Sequence, residues 1–100
     1  MTKNHNYYIY IMSSINKVIY IGVTNNLAIR TAQHKSGQIK GFSQKYKCKK
    51  LIYYEYFTDI KDAIKRETEI KKWRRDKKIK LIELLNPNWL DLSYNFNKNT

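Results

Sequence analysis

The chain has 100 residues, which suits a single domain over residues 1–100 with one modest core. Its 20 Lys and Arg against 8 Asp and Glu give a formal charge of +12, which points to polyanions (DNA, RNA or an acidic membrane surface), while a 42% hydrophobic share excludes disorder throughout. A single cysteine, Cys48, excludes an intrachain disulfide and suits a reducing, cytoplasmic-type interior; no apolar run nears the ~20 residues that span a bilayer, and the N-terminus lacks an apolar core of signal-peptide length.

Tyr7 to Met12 is aromatic and β-branched and predicts a strand, and Val18 to Val23 predicts a second. Ser13 to Lys17 between them is polar and short enough for a hairpin connection. With that turn at the tip, Tyr10 falls opposite Tyr20, so both rings share one sheet face with Cβ atoms roughly 5 Å apart. A slip of one residue would part them. Thr24, Asn25 or Asn26 can cap a helix that runs to Ser36, and Gly37 stops it. Gln38 to Lys50 has scattered lysines and little periodicity, and reads as a mobile basic loop that includes Lys45, Lys47 and Lys49. Leu51 to Phe57 predicts a third strand. Thr58 or Asp59 caps a second helix to about Trp73. A third helix starts near Asp76 and ends before Asn86-Pro87, because proline disfavours the helical conformation of its predecessor. Trp89, Leu90 and Leu92 are expected to pack back, and Asn95 to Thr100 to fray.

The chemistry starts from helix faces. On the second helix, Ile60, Ala63, Ile64, Glu67, Ile70 and Arg74 follow one face. Glu67 thus stands in an apolar stripe, where a carboxylate needs a cation. A salt bridge to a nearby Lys or Arg would serve, and so would a metal ion. Asp59 and Asp62 suit the helix N-terminus, and Glu69 and Glu83 fall on polar faces. On the first helix Leu27, Arg30, Thr31 and His34 share a stripe, with Arg30 and His34 one turn apart. An arginine facing a sheet needs an anion, and its planar fork suits phosphate as well as a carboxylate. Tyr7, Tyr53, Tyr54 and Tyr56 read as strand packing. Seven of the ten residues from Lys71 to Lys80 are basic, with Trp73 among them, which reads as a solvated face or a track for a phosphate backbone through Lys71, Lys72, Arg74 and Arg75. Three glycines exclude a glycine-rich phosphate loop, and no Cys/His set suits zinc. Acids do not cluster for two magnesium ions, so a site with one carboxylate and one metal is what remains feasible.

These residues resemble the GIY-YIG nuclease superfamily, in particular its small stand-alone members, which are similar to the N-terminal nuclease module of the bacterial nucleotide-excision repair endonuclease. The first motif stands as Tyr8-Ile9-Tyr10, with Tyr in place of the family's Gly, and the second as Tyr20-Ile21-Gly22. Arg30 and His34 fall at matching positions of the first helix, and Glu67 in Ala63-Ile64-Lys65-Arg66-Glu67 matches the metal-binding glutamate. Lys71, Trp73 and Arg75, then Asn86-Pro87-Asn88-Trp89, look like the C-terminal pattern of the small members. The likeness covers about residues 6–92, leaving 93–100 as a tail.

The resemblance implies an α+β fold, a small three-stranded antiparallel sheet flanked by helices. It implies a metal-dependent endonuclease with one Mg2+ (or Mn2+) ion per site on Glu67. Tyr10 or Tyr20 would help activate water with His34 in support, and Arg30 would neutralise charge on the phosphate. Gly22 and Asn86 would support the site. The partner is nucleic acid, with branched or nicked DNA ahead of plain duplex and RNA also accommodated, in repair or recombination. A membrane role lacks a spare amphipathic helix. Val23 stands where many family nucleases carry a lysine, which leaves the metal and Arg30 as the cations available to a phenolate. The competing expectation is a DNA- or RNA-binding module of the same fold that cuts slowly or not at all.

Overall fold

The computed structural model describes residues 5–96. The two predicted N-terminal strands form as β1 (Tyr7–Ser13) and β2 (Ile19–Thr24), and a third, β3 (Lys50–Phe57), pairs with β1 on its other side. Both pairings are antiparallel, and the order is β2-β1-β3. β1 is therefore central, and its residues from Ile9 to Ser13 are buried. The α+β architecture agrees with the expectation. Among the described residues, no helix is long and apolar enough to cross a membrane.

The hairpin register corrects one expectation. Tyr10 pairs with Gly22, and Tyr20 with Met12, a displacement of two residues. The cause lies in the turn. Ser14 N–H donates to Val18 O at 2.9 Å and Lys17 N–H to Ser14 O at 3.1 Å, with Lys17 in the left-handed region at φ 66°. The loop thus closes one pair nearer the tip than a Ser13–Lys17 turn would set it. A shift of two preserves the alternation of faces, so the rings of Tyr10 and Tyr20 still share a face, 6.2 Å apart.

The sheet separates two apolar clusters. On one face Ile9, Ile11, Ile21 and Tyr53 pack under α3 (Ile60–Lys72) and α4 (Arg75–Leu85), through Ala63, Ile70 and Ile82, with Trp89 closing the cluster. On the other, Tyr10, Met12 and Leu51 pack with Cys48 and with Leu27 of α1 (Leu27–Ser36). α1 starts where Asn26 Oδ1 accepts from Ile29 N–H at 3.0 Å, and ends at Gly37, whose φ of 81° suits a residue without a Cβ.

Several local readings change. The stretch read as a mobile basic loop holds a short helix, α2 (Phe42–Lys45), with Ser43 and Cys48 buried. A single turn carries no periodicity to read, and it is held by tertiary contacts. The inward stripe of α3 is Ala63, Arg66, Glu67 and Ile70 rather than the wider one expected. Ile60 and Ile64 are exposed, as is Arg74, while Arg66 turns in to grip Glu55 through Nε and Nη2 at 2.9 and 3.0 Å. Glu83, expected on a polar face, is half-buried and accepts from Trp89 Nε1 at 2.7 Å. Trp89 and Leu92 pack back but Leu90 is exposed, because Asn86 engages its backbone and turns its side chain out. Tyr54 and Tyr56 are more exposed than strand packing suggests, and lie against Tyr8. A final 3-10 helix (Leu92–Phe96) sets Phe96 against Tyr54; the expectation for 97–100 falls outside the described residues.

Candidate active site

Strand pairing and α1 build a compact aromatic and imidazole cluster. Tyr10 and Tyr20 project from neighbouring strands toward α1, and His34, one turn beyond Arg30, meets both. Its ring centroid lies 5.4 Å from that of Tyr10 and 5.0 Å from that of Tyr20. Tyr10 Oη and His34 Nε2 are hydrogen-bonded at 2.9 Å, and both residues are buried. Tyr20 is half-buried and keeps a path to solvent.

Gly22 makes this arrangement possible. It is the cross-strand partner of Tyr10, and the phenol lies in the space a side chain would occupy. A Cβ on Gly22 would come within 2.6 Å of Tyr10 Oη and 2.7 Å of Cζ. The glycine serves close approach here, not a special turn.

Ser43 carried no signal in the sequence. Its hydroxyl lies 2.6 Å from His34 Nδ1, and it is buried. Among the described residues that is its only side-chain hydrogen bond. A buried hydroxyl proton requires an acceptor, and Nδ1 is the one within reach. With the Ser43 hydroxyl donating to Nδ1, the ring proton would sit on Nε2 and go to Tyr10 Oη, and the Tyr10 proton would face Tyr20. A lone serine in a weakly patterned stretch gave nothing from which to derive this.

The electrostatics follow from burial and neighbours. Burial pushes the Tyr10 phenol well above its ordinary value, the Tyr20 phenol and the Glu67 carboxylate add to the rise, and the Arg30 guanidinium opposes it. Arg30 and Glu67 thus both lie within electrostatic reach of one phenol, although α1 and α3 cover opposite sheet faces. Burial, reinforced by Arg30, lowers His34 to about 4, so the imidazole is neutral at physiological pH. Among the described residues Arg30 forms no ion pair, so the carboxylate partner considered from sequence is absent there. Glu67 does have a cation: Lys71 Nζ stands 3.2 Å from its carboxylate, one turn on, and the Glu67 side chain is 19% exposed.

The other candidates lie farther out. Asn86 is buried and spends its side chain on backbone, donating to Ile52 O at 3.0 Å and Leu90 O at 2.9 Å and accepting from Leu90 N–H at 2.9 Å. Any support it gives the site passes through β3. Lys45, Lys47, Lys49, Lys72 and Arg74 are exposed, while Arg75 Nη2 donates to Lys17 O at 2.7 Å and ties α4 to the hairpin turn.

Residues 6–80 match the GIY-YIG catalytic domain. A UPF0213 protein of Staphylococcus haemolyticus is 34% identical over 77 residues, covering 77% of this chain and 94% of that protein. A UPF0213 protein of Clostridium perfringens is 36% identical over 75 residues, covering 75% of this chain and 81% of that one. In fold, the chain is similar to the solution NMR structure of a UPF0213 protein from Bacillus halodurans, with a TM-score of 0.56 at 24% identity, over 95% of this chain and 99% of that one. The matched span takes in Tyr10, Tyr20, Gly22, Arg30, His34 and Glu67 together, and the chain belongs to the GIY-YIG catalytic-domain family.

Proposed function

We propose that this chain is a magnesium-dependent endonuclease that hydrolyses DNA phosphodiester bonds, directed by the structure of the DNA rather than by its sequence. The observation that carries the reading is the grouping around Tyr10: a second phenol, a neutral imidazole, an arginine without an ion-pair partner among the described residues, and one carboxylate that acts on the same phenol. Membership of a catalytic-domain family supports it.

The donor set suits magnesium. Among the described residues no three His, Cys, Asp or Glu gather, whereas zinc's closed sites take four protein ligands. Magnesium keeps most of its waters and takes one or two carboxylates with phosphate oxygens, which Glu67 and a bound strand would provide. A bound ion would supply positive charge to the scissile phosphate and the leaving oxygen.

The chain's own groups do the rest. Tyr20 is the more accessible phenol and meets the attacking water. Tyr10 holds it from behind, itself fixed by the His34 N–H. Arg30 offers a rigid fork to phosphate oxygens as negative charge builds on them. Exposed lysines at 45, 47, 49 and 72, with Arg74, hold the backbone through contacts that weaken with salt.

A second reading, a nucleic-acid-binding module that does not cut, is favoured by two observations. Val23 replaces the lysine common in the family, and Lys71 already neutralises Glu67. Purified protein incubated with branched, nicked and plain duplex DNA, with magnesium or EDTA, separates the two. The nuclease reading predicts magnesium-dependent cuts that Arg30→Ala slows far more than it weakens binding. Tight, salt-sensitive binding without cleavage would replace it with the second reading.

A further inference from the structure

A hollow lined by four lysines and no acidic residue lies outside the tyrosine cluster. A cleft of about 430 Å3 opens between the β1–β2 turn and the α2 segment. Lys45, Lys47, Lys49 and Lys50 line it, and no acidic residue does. Charge alone would suit any polyanion. The apolar surface narrows the choice. Ile15, at the tip of the turn, is 87% exposed, and Val18 lies beside it on the wall. Tyr46 also lines the cleft and is exposed, with the Phe42 ring 4.7 Å away. Lys45 Nζ sits 5.4 Å over the Tyr46 ring.

A paired duplex offers this cleft sugars and phosphates, its bases being stacked inside. The lysines would serve such a ligand, but the rings and Ile15 would gain little. An unpaired base has a free face that an exposed aromatic can stack on, whatever its identity. A pair of neighbouring rings with an ammonium group beside them offers contacts to both a base and its phosphate. An acidic peptide would use the lysines but has no regular supply of flat faces for the rings.

We propose that this cleft binds an unpaired nucleic-acid strand, with bases on Tyr46 and Phe42 and phosphates on the surrounding lysines. The short helix that carries Lys45 at the cleft also carries Ser43, whose hydroxyl contacts His34, so the cleft and the tyrosine cluster share one supporting segment. This deepens the nuclease reading and rests on it for one point only, that the bound strand leads to a cutting site. The substrate is then a junction with a single-stranded arm, cut near where the arm meets the duplex.

The test is fluorescence anisotropy in EDTA, with a 15-nucleotide oligo-dT, its abasic counterpart, oligo-U of the same length and a blunt duplex. The proposal predicts that oligo-dT binds more tightly than the abasic strand. It predicts that Tyr46→Ala weakens oligo-dT binding by about tenfold while duplex binding is unchanged, and that Tyr46→Phe restores it. Tighter binding of oligo-dT than oligo-U assigns the cleft to DNA and the reverse to RNA; either supports the proposal. Equal binding of normal and abasic strands, equal loss for strand and duplex, or equal competition by polyglutamate of matched charge would overturn it. Cleavage is read separately with magnesium. Selective strand binding without cutting would sink the nuclease reading and leave the cleft standing, whereas equal cutting of flapped and plain duplex by wild type and Tyr46→Ala would do the opposite.

Discussion

Gly22 and Tyr10 are cross-strand partners, and the phenol of one fills the place where the other lacks a side chain. A Cβ on Gly22 would meet Tyr10 Oη at 2.6 Å. Tyr10 sits in the central strand and cannot retreat without disturbing Met12, Leu27 and Leu51 around it. Gly22→Ala is therefore expected to tilt the ring away from His34 and to cost about 1–3 kcal/mol from overpacking. Urea denaturation measures the loss, and the His34 ring signals in NMR report the broken hydrogen bond. A variant as stable as the parent with unchanged His34 signals would show that the ring has room elsewhere.

Ser43 is expected to set the tautomer of His34. With Ser43→Ala the imidazole loses the partner of Nδ1, and the Nε2–H form is no longer imposed. Removing this buried bond should cost about 1–2 kcal/mol and slow cleavage roughly tenfold through misplacement of Tyr10. Nitrogen-15 spectra of the ring separate this from simple destabilisation, because the proton should redistribute between the two nitrogens. A wild-type ring protonated at Nδ1 would contradict the assignment.

His34 also makes stability depend on pH. Its folded value of about 4 lies below the ordinary 6.5 because burial, and then Arg30, disfavour the imidazolium. The unfolded chain thus binds more protons between those values, and stability falls as pH drops from 6.5 to about 4, by roughly 3 kcal/mol in all. Below about pH 4 this contribution is constant. His34→Gln should flatten that window in a series of urea midpoints. An equally steep fall in the variant would place the titration elsewhere.

Glu55 adds a separate, more acidic limb. Burial would raise its carboxyl, but hydrogen bonds from Arg66 and Tyr53, with the Arg66 charge, outweigh that and hold it below the usual carboxylate range. Its contribution is complete above the ordinary glutamate value and is lost as pH falls through the lowered one. Glu55→Gln should remove this acid-side loss while leaving the His34 window intact. Thermal melts between pH 2 and 5 would reveal it, and identical acid limbs in both proteins would refute it.

Lys71 is expected to compete with magnesium for Glu67. The pair is half-exposed on the lysine side and contributes little to stability. Lys71→Met should lower the magnesium concentration for half-maximal cleavage by about two- to threefold. An unchanged or raised requirement would mean that Lys71 does not stand in the ion's way.

Much of this site is legible before folding because it rides on strong local patterns. Alternating aromatic and β-branched residues mark the strands, and Asn26, Gly37 and Asp59 punctuate the helices that carry Arg30, His34 and Glu67. Exact register is harder, since it depends on the left-handed conformation of Lys17 inside a polar turn. A displacement of two residues leaves every side chain on its face, so the sharing of a face by Tyr10 and Tyr20 is legible without the exact register. Ser43 and the turn that carries it have no periodicity, and their order comes from His34 and Cys48 packing across the fold. Arg66 likewise gives no signal in the sequence, because its partner Glu55 stands on a strand and meets it only in the fold.

On the proposed function, one carboxylate, Glu67, makes this positively charged scaffold a metal-dependent cutter. The decisive comparison sets wild type beside Glu67→Ala on a branched DNA, with cleavage measured in magnesium and binding in EDTA on the same preparations. Metal-dependent cleavage by the wild type, loss of cleavage in Glu67→Ala and equal binding by both are expected. Equal cleavage by the two proteins, or none by either with tight binding intact, would contradict that function.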